Sequence, residues 1–143
     1  MTDHVVTDVG PLVLRATVKA PSSRVWHALV QPEDWWHGFS LQPWVTGHVV
    51  EHWTGEDGRS RLTQGEVLAL VPERSLRLSW ADDDWDATTV VEFGVEVLDS
   101  DRTEMRVTHI GWEQFGSRSS AMRMAHEAGW RYHLDQLRRF CEA

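Results

Sequence analysis

Cysteine and lysine are almost missing from these 143 residues; each occurs once, as Cys141 and Lys19. A lone cysteine excludes an intramolecular disulfide and a cysteine-rich zinc site, and such usage fits a reducing compartment. The arginines are scattered along the chain, and the net charge is −8. A nucleic-acid binder needs clustered cations to neutralise phosphates, so that class is set aside, as is an acidic partner. No segment approaches the roughly 20 apolar residues that cross a bilayer. Met1, Thr2, Asp3 and His4 lack the basic start and apolar run of a signal peptide. The expectation is a soluble cytoplasmic protein with no membrane association. Glycine-rich phosphate loops and a Gly-x-Ser-x-Gly elbow are also missing, and no cofactor is expected.

What is abundant is tryptophan, with nine residues. Each buries a large apolar area and carries an N–H that needs an acceptor. Packing alone seldom requires so many in a short chain, which raises an aromatic-lined cavity beside the plainer reading of a tryptophan-rich core. The length fits one domain over residues 1–143.

Residues 12–19 alternate, with Leu12, Leu14, Ala16 and Val18 on one face of a strand. After Pro21, Ser22 or Ser23 can cap a short helix carrying Val25, Trp26 and Leu29 on one side. Pro32 ends that helix and can start a second over residues 33–36. Residues 44–53 read as a strand, and Gly55, Glu56, Asp57 and Gly58 as a hairpin turn. Residues 59–71 return as one strand kinked near Gly65. Leu76, Leu78 and Trp80 share a face of the next strand. Asp82, Asp83 and Asp84 read as a solvated hairpin tip. Val91, Phe93, Val95 and Val97 point inward from another strand, and Met105, Val107 and His109 from the last. Residues 117–141 form a long helix whose stripe is Met122, His126, Trp130, Leu134, Leu137 and Cys141. This order predicts an α+β fold in which a curved antiparallel sheet grips the C-terminal helix. One helix covers only part of such a sheet, so a cavity is expected between them.

Several spaced features resemble a known family. Ala20-Pro21 precedes Val25-Trp26-His27-Ala28-Leu29, then Pro32-Glu33 and Trp35-Trp36. Gly47 and Asp57-Gly58 follow. Gly65-Glu66-Val67 leads through Val71-Pro72-Glu73-Arg74 to Leu76-Arg77-Leu78-Ser79-Trp80. Thr108-His109-Ile110-Gly111-Trp112 and Gly129-Trp130 complete the set. In order and spacing these are similar to the activator-of-Hsp90-ATPase-like branch of the START-like (SRPBCC) superfamily. The resemblance implies a helix-grip domain. It leaves activity open, because the superfamily includes lipid carriers, polyketide aromatase/cyclases and co-chaperone domains.

No catalytic constellation and no metal site emerge from the residues. His48 and His52 lie too far apart along a strand to share an ion, as do His126 and His133 on a helix. Glu92 and Glu96 point outward. His109 faces inward, either as a polar group in the cavity or as a core histidine bonded to backbone. Trp36, Phe39, Trp80 and Phe93 either line the cavity or fill the core; Trp53 is ambiguous in register. Trp26 and Trp130 are expected to be the most buried indoles. Met122 and His126, near the start of the long helix, complete the candidate cavity set. The leading expectation is a protein that binds a small apolar or aromatic molecule. The alternatives are an aromatase/cyclase-like enzyme using His109 or Arg77, and a chaperone or stress accessory that engages a protein partner. A homodimer is compatible with the fold.

Overall fold

The alternating apolar residues near the N-terminus form β1 (Leu12–Val18), and the chain then turns at Ala20-Pro21 into α1 (Ser22–Val30). This is a computed structural model, and it describes residues 9–143; residues 1–4, read above for a targeting signal, lie outside them. A single 3-10 turn, Pro32–Asp34, stands where the second short helix was expected. Six strands follow: β2 (Phe39–Leu41), β3 (His48–Thr54), β4 (Ser60–Val71), β5 (Ser75–Asp82), β6 (Thr89–Asp99) and β7 (Arg102–Ile110). A 3-10 stretch, Trp112–Arg118, leads into α2 (Ser119–Glu142). The seven strands make one sheet in the order β1-β7-β6-β5-β4-β3-β2, with every neighbouring pair antiparallel. This is the helix-grip arrangement expected from the sequence.

The sheet curves where its ladders break. Registered pairs between β4 and β5 jump from Gln64–Ala81 to Val67–Leu78, and a bulge follows before Ala69–Arg77. In the gap, the Ser79 hydroxyl accepts the Glu66 N–H at 2.8 Å. A Cβ on Gly65 would lie 1.8 Å from the Ser79 carbonyl oxygen, so only glycine allows this approach. The kink near Gly65 is therefore real, with the bulge adding curvature beyond it.

On the concave face, Leu76, Leu78, Val91, Met105 and Val107 are fully buried. The C-terminal half of α2 seals against them through Trp130, Leu134, Leu137 and Cys141. Between this half and Leu29, Phe93, Met105 and Val107 the remaining void is about 10 Å³, at the lower limit for a single water. That end of the sheet is closed. The outer face of α2 carries Arg131–Glu127, Arg139–Asp135 and Arg138–Glu142 pairs at the i, i+4 spacing that brings side chains together on a helix.

Local details depart from the sequence reading. Neither Ser22 nor Ser23 caps α1; Pro21 holds the cap position and its carbonyl accepts the Arg24 and Val25 N–H groups. The Ser22 hydroxyl instead lies 3.2 Å from a Glu73 carboxylate oxygen. The strand expected from Trp44 begins at His48, because Trp44, Val45 and Thr46 form an exposed turn with Thr46 at φ 73°. Phe39 opens the short strand β2, which the sequence reading did not include. Val97 is 59% exposed, since β6 has run past the cover of the helix there. Trp26 is only half-buried, while Trp112 is wholly buried and donates to the His109 carbonyl at 3.0 Å.

Candidate ligand cleft

At its other end the sheet is not sealed. Residues directly opposite each other across three strands form a polar row, with Glu51 of β3 paired to Thr63 of β4 and Thr63 paired to Asp82 of β5. Because strand side chains alternate, Trp53 and Trp80 stand two residues along on the same face. Across from them α2 contributes Ala125, His126, Gly129, Trp130 and His133, a helical stripe one turn apart. Between the two walls lies an open cleft of about 350 Å³. Such a volume is at the small end of ligand sites.

Gly129 shapes this space. A Cβ placed there would meet no atom within 4 Å, so its hydrogen leaves room in the cleft rather than relieving a clash. Glycine inside a helix costs about 1 kcal/mol relative to alanine. Nothing in the packing around Gly129 requires that cost.

The polar row is braced from behind. The Trp53 indole N–H donates to the Thr63 hydroxyl at 3.0 Å, and that hydroxyl donates to Asp82 Oδ1 at 2.6 Å. The Trp36 indole N–H donates to Glu51 Oε2 at 2.9 Å. Burial pushes the Glu51 carboxyl above its ordinary value; the Trp36 bond opposes this and the Asp82 charge adds to it. Burial likewise raises Asp82, against the Thr63 hydrogen bond and the attraction of His126. Burial holds His126 below its usual value although Asp82 pulls it upward, and it lowers His133 to about 4. His126 Nδ1 donates to the Met122 carbonyl at 3.0 Å, which leaves Nε2 as its unprotonated nitrogen. The wall at neutral pH thus combines carboxyl groups, neutral imidazoles and indoles. Among the described residues the buried Trp80 Nε1 donor has no acceptor.

The structure distributes the expected cavity residues among three places. Trp53, Trp80 and His126 line the cleft. Trp36 and Phe93 lie around the small, nearly filled void instead, with Trp36 stacked between Phe39 at 4.0 Å and His133 at 3.9 Å. Phe39, His109 and Met122 pack behind or beside the cleft without lining it. His109 is fully buried, and its partners are mainly side chains: Trp130 Nε1–H donates to Nδ1 at 3.0 Å and Nε2 lies 2.7 Å from the Thr89 hydroxyl. Since Nδ1 accepts, Nε2 carries the proton and donates to Thr89, whose own hydrogen goes to the Trp80 carbonyl at 2.7 Å. Burial lowers this imidazole to about 2. Arg77 lies on the exposed side, 4.0 Å from Glu92.

Glu51, Thr63, Asp82, Gly129 and His133 are cleft residues that sequence reasoning passed over. Asp82 is not part of a solvated tip; it is the next inward member of the series Leu76, Leu78, Trp80. Glu51 similarly falls between Val49 and Trp53 on one face of β3. Alternation, carried one step further in each strand, points to both. Among the described residues no group of His, Cys, Asp and Glu side chains could hold a metal ion.

Comparison with known proteins gives the same architecture. The chain superposes on CalU16 from Micromonospora echinospora with TM-score 0.70 and 21% identity, over 91% of this chain and 73% of that one. DynU16, a protein of the dynemicin biosynthetic locus, matches with TM-score 0.72 and 20% identity over 94% of this chain but 48% of its own length. The solution structure of the Aha1 dimer from Colwellia psychrerythraea matches with TM-score 0.70 and 21% identity, over 92% of this chain and 96% of that one. No curated protein matches the sequence. A family model described as Activator of Hsp90 ATPase homolog 1-like protein matches residues 19–142. With nearly its whole length matched and a helix-grip fold of the START-like (SRPBCC) kind, the chain belongs to the Activator of Hsp90 ATPase homolog 1-like family.

Proposed function

We propose that the protein binds a small molecule with an apolar or aromatic body in the cleft between β3–β5 and α2. One observation carries this reading: the side chains leave about 350 Å³ open between sheet and helix, walled by Trp53, Trp80 and Trp130. Indole faces offer large, rigid contact area at low entropic cost. Gly129 keeps the helix wall clear although alanine would favour the helix. The test is a fluorescence titration against a panel of one- to three-ring aromatic compounds. A saturable change in wild type, lost in Gly129→Leu, is expected. A panel that leaves both proteins unchanged contradicts the reading.

A second reading, acid–base chemistry on a polyketide-type substrate, draws on Asp82 and His126, which both line the cleft and each of which favours the charged form of the other. These replace His109 and Arg77 as the residues to examine, since both His109 nitrogens are engaged and Arg77 lies outside. Its test is turnover of such a substrate in Asp82→Asn and His126→Gln. Rates equal to wild type in both variants end this reading.

A further inference from the structure

The cleft has an unbalanced charge pattern. Two carboxyl groups, Glu51 and Asp82, line it, and neither arginine nor lysine does. Among the described residues neither carboxylate has an ion-pair partner within 4.0 Å. Arg61, whose charge also weakly attracts Asp82, stands 5.0 Å over the Trp53 ring and is paired with Asp83 at 2.7 Å and Asp84 at 2.8 Å. On the helix side the titratable groups facing the row are His126 and His133, both held neutral by burial.

Each carboxylate also has acceptor capacity to spare. Trp36 occupies only Glu51 Oε2, and Thr63 occupies only Asp82 Oδ1. Among the described residues the buried side-chain polar atoms without partners are Trp80 Nε1 and Ser119 Oγ, so Glu51 Oε1 and Asp82 Oδ2 are not sealed away. They are open acceptors. A carboxylate accepts several hydrogen bonds, and those from a charged donor are the strongest.

We propose, building on the ligand-binding reading above, that the cleft selects an organic cation: an aromatic or apolar body carrying one ammonium group. The row Glu51–Thr63–Asp82 receives the charged nitrogen, while Trp53, Trp80 and Trp130 receive the body. Two physical effects act together. An ammonium group restores the ionised carboxylates that burial penalises, and its positive charge is attracted to indole faces. The same row repels a carboxylate-bearing ligand, so fatty acids and aromatic acids are excluded. A neutral ligand gains the indole contacts alone.

The experiment compares three probes sharing one ring system: 1-naphthylmethylamine, 1-naphthylmethanol and 1-naphthoate, each titrated by calorimetry at pH 7. The amine is expected to bind at least tenfold more tightly than the alcohol, and the acid more weakly than both. Glu51→Gln and Asp82→Asn are each expected to remove most of the preference for the amine over the alcohol. Both substitutions keep an acceptor for Trp36 or Thr63, and thermal melting establishes that each variant folds. Equal binding of amine and alcohol overturns the cation inference and leaves the ligand-binding reading standing. Tightest binding of the acid overturns it too. Failure of all three probes, together with the wider aromatic panel, overturns both readings at once.

Discussion

His109 is held neutral by geometry as well as by burial. Protonating Nδ1 would set an N–H against the Trp130 indole N–H, 3.0 Å away, with no acceptor between them. The chain Trp130, His109, Thr89 and the Trp80 carbonyl has one consistent direction, and it ties α2 to β7, β6 and β5. In nitrogen-detected NMR the imidazole is expected to show a single Nε2–H tautomer with no titration between pH 8 and 4; a His109 titration within that range contradicts this network. His109→Ala is expected to lower stability by about 2–4 kcal/mol, because a buried indole N–H loses its acceptor and a cavity opens. Denaturant unfolding measures it. At this scale the sequence told part of the story. It showed His109 pointing inward, and the structure places it in the packed interior. Asp82 was less legible, because the neighbouring Asp83 and Asp84 made the whole triplet look like a solvated turn.

The helix α2 was legible as an element, since its apolar spacing is long and regular. Its stripe divides by function: Trp130, Leu134, Leu137 and Cys141 close one end of the sheet, while His126, Gly129 and His133 face the cleft. The start of the helix was not legible. Ser117, Ser119 and Ser120 look like helix-start residues, but Arg118 holds the cap position and, among the described residues, the Ser119 hydroxyl is buried without a partner. Such details depend on how the preceding 3-10 stretch enters, with Gly111 at φ 106° and Gly116 at φ 60°. The short strand β2 was missed for a similar reason: three residues cannot display a period. The polar row Glu51–Thr63–Asp82 lay deeper still. Alternation gives each residue its face, but alignment across three strands requires the register, which the turn lengths and the break near Gly65 set. Gly129→Ala tests the division of α2. Adding a methyl group into open space is expected to stabilise the protein by up to about 1 kcal/mol, read as a higher melting temperature. A lower melting temperature would mean that Gly129 serves packing.

The whole molecule couples stability to pH through the groups that its sheet and helix enclose. His133, lowered by burial to about 4, binds a proton more readily when unfolded, as do His126 and His109. The stability they contribute is fully present above about pH 6.5 and is lost as pH falls toward their folded values. Glu51 and Asp82 act oppositely: their raised values favour the folded state at low pH, and that contribution is lost as pH rises through them. Unfolding midpoints for wild type and His133→Asn are therefore expected to converge as pH falls from 6.5 to 4. Parallel curves would remove His133 from the account.

Side chains fill one end of this helix-grip fold, and the other holds the cleft proposed to take the ligand. The nine tryptophans supply nine indole N–H reporters spread over both ends. The most direct measurement is the indole region of a ¹H–¹⁵N spectrum during titration with 1-naphthylmethylamine. The expected result is saturable shifts at Trp53, Trp80 and Trp130, with Trp26, Trp44 and Trp112 unmoved. Shifts confined to exposed Trp44, or none at any indole with this amine and the neutral probes alike, would contradict the claim.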